Sequence, residues 1–225
     1  MPDETPYEQD SLSVDERAGL VRSEMEARAD DLFVELGESA AQIGWTVARS
    51  GSPEDAGRYI EALARDLEAG SAVRSAHSVL DRLGLEGRLA RSGIELGVMA
   101  VDWEGDEHEL DRRRHALREK AIVADLGITG VDYAIAETGS CVLLARRGVS
   151  RLVSLLPPVH VAVVERGQVV PSLDELFVLY RHSILRGEGE GYMNIISGPS
   201  RSADIDQTLV TGVHGPGQVH LLLLG

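Results

Sequence analysis

The sequence predicts an α/β fold with a central, mostly parallel sheet and helices on both faces, and three observations lead there. Apolar residues recur at helical spacing in the first 120 residues, with short β-favouring stretches between them. Dense β-favouring runs separated by Gly and Pro then dominate the second half. Finally, hydrophobic residues make up 43% of the chain while aromatic residues make up only 4%, so the core must be aliphatic.

Taken in order, residues 1–15 are acidic and poor in apolar side chains, which predicts a flexible tail ahead of a single domain over 16–225. Leu20, Val21, Met25, Ala29, Leu32, Phe33 and Leu36 then fall on one helical face, predicting a helix that ends near Gly37. Ser52 and Pro53 open another helix as N-cap and first residue, running through Ile60, Leu63 and Leu67. Strands are expected around Ala72–Arg74 and Ile94–Val98, with a helical piece over Val79–Leu83 between them. From Asp106 to Lys120 the chain is strongly charged on one side and reads as an amphipathic helix.

The runs Val131–Ala136, Cys141–Leu144, Arg151–Leu156 and Val159–Val164 read as the strands at the centre of the sheet. A helix carrying Leu173, Leu176, Phe177 and Tyr180 on one face follows. Two more strands, Tyr192–Ile196 and Val219–Leu224, complete the pattern.

Charge and motifs narrow the function. The formal net charge is −15, which opposes the phosphate neutralisation that nucleic-acid binding needs. No apolar run approaches the roughly 18 residues of a membrane span, and the start lacks a signal-peptide pattern, so a cytoplasmic location is expected. Cys141 is the only cysteine, so this chain cannot build an all-cysteine zinc or iron–sulfur site, and no metal site is predicted. Lys120 is the only lysine and no P-loop occurs. Gly187, Gly189 and Gly191 do not have dinucleotide-binding spacing, and Gly198–Ser202 does not complete a nucleophile elbow.

Three loops offer chemistry, and they are expected at the carboxyl ends of the strands, where open parallel sheets bind ligands. Glu137, Thr138, Gly139 and Ser140 supply a carboxylate, two hydroxyls and a residue free to take positive φ; the same four would also make an ordinary hairpin turn. Ser197, Gly198, Ser200, Arg201, Ser202 and Asp204 read as a strand end entering a helix, whose free N–H groups would attract an anion with Arg201 beside it. An ordinary capped helix, with Asp204 complementing the dipole, is the alternative. His214, in the Gly212–Gly217 loop, and Glu137 are the proton-transfer candidates. All three loops are expected to share one cleft for a small carboxylate. His160 sits inside a strand and reads as structural.

Four ordered blocks also carry a resemblance. Gly127–Ser140, Ser154–His160, Ile196–Asp206 and Gly212–Pro216 are similar to the LUD-domain family, with Ser140 and Ser202 standing where that family commonly has Thr. The resemblance is dense from about Gly127 to the last residue and covers only layout over residues 30–126. It implies a fold like that of ribose-5-phosphate isomerase, glucosamine-6-phosphate deaminase and CoA transferases. It also implies a non-redox subunit of the short lactate-utilization type, working beside iron–sulfur partner subunits that oxidise L-lactate to pyruvate, with no cofactor in this chain. A free-standing enzyme acting on a small anionic substrate through Glu137, Arg201 and His214, and a small-molecule sensor, remain the alternatives.

Overall fold

The computed structural model describes residues 12–100, 104–144, 151–188, 191–203 and 209–225. In chain order the first half contains α1 (Val14–Ala27), α2 (Ala29–Ile43), β1 (Thr46–Ser50), α3 (Pro53–Asp66), β2 (Ser71–Ser75), α4 (Ser78–Asp81), α5 (Leu85–Arg91), β3 (Glu95–Met99) and α6 (Glu107–Val123). The second contains β4 (Leu126–Gly130), β5 (Tyr133–Ile135), β6 (Ser140–Leu144), α7 (Leu152–Leu155), β7 (Val159–Glu165), β8 (Val169–Val170), α8 (Leu173–Leu185), β9 (Met193–Ile196), β10 (Arg201–Ala203), β11 (Leu209–Thr211) and β12 (Gln218–Leu224).

Six strands form an all-parallel sheet in the order β1-β12-β7-β4-β2-β3. The central strands are buried on both faces, which is why Val159–Val164 and Val219–Leu224 read as unbroken apolar runs. Val159, Val161, Val163, Leu222 and Leu224 meet Ile60 of α3, Leu80 of α4 and Leu85 and Leu89 of α5 on one face. On the other, Ala162, Val164, Leu221 and Leu223 pack against Leu32, Leu36 and Ala40 of α2 and against Cys141 and Leu143 of a smaller sheet. That smaller sheet, β8-β5-β6-β9, is covered on its far side by Ala18 and Val21 of α1 and by Leu176 and Leu179 of α8. Each fully buried Leu stabilises the fold by about 1.5–3 kcal/mol.

Local signals set the element boundaries. Ser52 caps α3 by accepting from the Asp55 N–H, and Asp106 caps α6 from the Glu109 N–H. Ser13 and Glu16 form a capping box at α1, so Val14 and Asp15 belong to a helix capped by Ser13; residues 1–11 of the expected tail lie outside the described residues.

Three expectations are corrected. The helical face over residues 20–36 belongs to two helices that meet at Arg28, and the second continues through Gly37 to Gly44 in the left-handed conformation. Gly37 interrupts nothing because its bare Cα lets α2 approach the sheet: a Cβ there would lie 3.1 Å from Arg49 and 3.3 Å from Leu223. Arg151–Leu156 is not a strand but contains the short helix α7, with Val153 buried and Leu155 exposed; a short apolar run cannot separate the two states by periodicity. The helix expected after Pro199 is a hairpin instead, with Arg201↔Thr211, Ser202↔Val210 and Ala203↔Leu209 paired antiparallel.

Candidate functional site at the amino edge of the sheet

The hairpin removes the anion-binding helix N-terminus, and the parallel sheet places the loops at its opposite end. Gly217, just before β12, and Gln218, its first residue, both donate backbone N–H bonds to the Pro158 carbonyl, just before β7. The Gly212–Gly217 loop is therefore at the amino edge, not at the carboxyl edge where the strand-end rule places ligands. The other two loops reach that edge through the smaller sheet and α2. Gly139 takes φ +66 and packs so closely on α2 that a Cβ would come within 2.4 Å of the Ala40 nitrogen. Gly198, at φ +87, lies as tightly on the Ile43 carbonyl, 2.6 Å from where its Cβ would be. Both glycines are required by positive φ and by the close approach.

Hydroxyls then join the loops. Thr138 donates to Ser140 at 2.9 Å, and Ser140 Oγ lies 2.7 Å from Ser197 Oγ. Ser140 is buried, whereas Thr138 and Ser197 reach the surface. Ser200 ties the second loop to the third: its N–H donates to the Pro216 carbonyl, its carbonyl accepts from the Gly212 N–H, and its hydroxyl accepts from the His214 N–H at 3.2 Å. The Arg201 guanidinium lies beside Gly44, filling the space a side chain there would take. A cation at that place complements the carbonyl end of α2. Arg201 is exposed and, among the described residues, makes no ion pair.

Glu137 and His214, the proton-transfer candidates, are both exposed; the Glu137 backbone N–H donates to the Pro171 carbonyl, and no hydrogen bond or ion pair joins the two side chains among the described residues. Ser202 lies in β10, and Asp204 lies outside the described residues.

Three residues that the sequence did not single out as functional border this cluster. His160, fully buried on β7, places Nε2 2.9 Å from Thr129 Oγ1 on β4, and burial, helped by the nearby His220, pushes its pKa down to about 3. The ring of Trp45, the residue after Gly44, lies 6.2 Å from the His160 ring. The only sequence signal for His160 was its place in the Pro157–Pro158–Val159–His160 block. Thr129 and Trp45 become visible through pairing across strands far apart in sequence.

A doubly covered parallel sheet with a row of hydroxyls at its amino edge, and near it a guanidinium that makes no ion pair among the described residues, defines an α/β domain with a candidate site at that edge. The family profile named LUD domain matches residues 35–224, and the chain belongs to that family. It is 40% identical over 137 residues to lactate utilization protein C of Halalkalibacterium halodurans, covering 60% of this chain and 54% of that protein. With lactate utilization protein B of Bacillus pumilus it shares 28% identity over 245 residues, 91% of this chain and 50% of that protein. The chain thus spans about half the length of these curated relatives. A crystal structure of a DUF162 family protein from Deinococcus radiodurans has the same fold, with a TM-score of 0.50 at 19% identity, covering 91% of this chain and 98% of that one. Among the described residues no helix is long and apolar enough to cross a membrane.

Proposed function

We propose that this chain is a non-redox subunit of a system that oxidises L-lactate to pyruvate beside iron–sulfur partner subunits, and that its own task is to hold a small carboxylate at the amino edge. The names of its relatives support the pathway. The observation that carries the carboxylate is the Arg201 guanidinium, exposed and without an ion-pair partner among the described residues, at the same end of α2 as the Thr138–Ser140–Ser197 row of hydroxyls. A guanidinium binds a carboxylate through two parallel N–H bonds, and hydroxyls can serve the substrate as donor or acceptor.

A monocarboxylate fits better than a polyphosphate. Among the described residues Arg201 is the cation at the site, the adjacent carbonyl end of α2 is electronegative, and the chain carries a net charge of −15. Electron transfer belongs to the partners in this reading, because the lone Cys141 is buried and burial raises its thiol pKa well above the ordinary value, disfavouring the thiolate that a cluster needs.

Reconstitution tests the proposal. Iron–sulfur lactate-utilization subunits should reduce an artificial electron acceptor in an L-lactate-dependent way when the chain is present, and lose most of that activity without it or with Arg201→Ala. Full activity without the chain would overturn the reading, as would turnover of lactate or of a sugar phosphate by the chain alone.

A further inference from the structure

Two buried ring nitrogens near the amino edge of the sheet have no hydrogen-bond partner among the described residues: Trp45 Nε1 and His160 Nδ1. Trp45 is 4% exposed and His160 0%, and their rings are 6.2 Å apart and inclined at 56°. A buried polar group left unpaired costs about 1–3 kcal/mol, so a neighbouring pair of them calls for a reason. The third such atom, Ser75 Oγ, belongs to the carboxyl end of β2 and is a separate matter.

The geometry points to an inner half of the carboxylate site, in which Trp45 Nε1 and His160 Nδ1 receive the head group of a 2-hydroxy or 2-oxo monocarboxylate. This deepens the proposed function and rests on it. The two nitrogens are chemically unlike. An indole N–H only donates, so it suits a carboxylate or keto oxygen. The imidazole is more versatile. Its Nε2 is engaged by Thr129, whose hydroxyl can turn to donate or accept, leaving Nδ1 to accept from an alcohol or donate to a ketone. Burial keeps the ring neutral at pH 7, which preserves both options. One imidazole can therefore match both members of an alcohol–ketone pair, each with its carboxylate end toward Trp45. Arg201, placed against Gly44 and so one residue from Trp45, supplies the positive charge on the solvent side.

The test uses the intact 15N-labelled chain. Its two tryptophans, Trp45 and Trp103, give two indole N–H signals that W45F and W103F assign. L-lactate or pyruvate should move the Trp45 signal saturably, whereas acetate and inorganic phosphate should move it far less. W45F and H160Q should each bind lactate about ten- to hundredfold more weakly while still melting cooperatively. A Trp45 signal unmoved by tens of millimolar lactate and pyruvate would overturn the inference, and so would an equal response to acetate or phosphate. Either failure differs from failure of the subunit reading, because reconstituted lactate oxidation would still depend on the chain.

Discussion

Ser140 Oγ and Ser197 Oγ lie 2.7 Å apart although 57 positions separate them in sequence. This contact joins the β5–β6 turn to the end of β9, and with Thr138 it forms a row of three hydroxyls at the amino edge of the sheet. Ser140→Ala should cost about 0.5–1.5 kcal/mol, since it leaves two hydroxyls without their shared partner. Ser197→Ala should cost less, because Ser197 is exposed and water can replace it. In a double-mutant cycle by urea denaturation the two effects should be non-additive; strict additivity would mean the pair is not coupled.

Gly139→Ala should be more damaging than either serine variant. It adds a side chain at φ +66 and forces it to within 2.4 Å of the Ala40 nitrogen on α2. Strain at positive φ alone costs about 1–3 kcal/mol, and the clash adds to it. A lowered denaturation midpoint is expected, together with weaker carboxylate binding, because the whole turn is displaced. An unchanged midpoint would show that the turn does not rest on α2.

Acid should weaken the fold through His160. Its folded pKa is down to about 3 whereas the unfolded ring titrates near 6.5, so between those values the unfolded state binds more protons. Stability is therefore highest above about pH 6.5 and falls as pH drops toward 3, by at most about 1.4 kcal/mol per pH unit from this residue. His220, also lowered by burial, acts in the same direction. Urea midpoints measured at pH 7.5, 6 and 5 should decline, and H160Q should flatten the decline. The same slope in both proteins would contradict the assignment.

Arg201→Ala should leave the melting temperature nearly unchanged, since the side chain is exposed and, among the described residues, makes no ion pair. Its lactate affinity should fall by about ten- to hundredfold, the loss expected for a charge-assisted contact of about 1.5–3 kcal/mol. Calorimetric titration reads both members of the comparison. Unchanged affinity would remove Arg201 from the site.

Strands β7 and β12 were legible because they are buried on both faces and so carry continuous apolar runs, whereas Val131–Ala136 and Cys141–Leu144, read as central too, contribute to the smaller sheet. Helix α3 announced itself by its capping residue Ser52 and by Pro53, and α6 by its charged, amphipathic pattern. The segment after Pro199 misled for a physical reason. Gly, Ser and Asp favour a helix cap and a hairpin alike, and only the pairing of Arg201–Ala203 with Leu209–Thr211 distinguishes them. The position of the site was not legible either. Loops that follow strands were assigned to the carboxyl edge, but the Glu137–Ser140 turn and Ser197 belong to the smaller sheet, which carries them along α2 to the other end. That Thr138, Ser140 and Ser197 would meet was anticipated in outline, whereas the pairing of His160 with Thr129 depends on β4 lying next to β7.

A crystal structure of the chain with L-lactate or pyruvate bound tests the account most directly. The ligand should lie at the amino edge, its carboxylate between Arg201 and Trp45 and its hydroxyl or keto oxygen toward His160. Density for the ligand at the carboxyl ends of β2 and β4, beside Ser75 and Gly130, would contradict it.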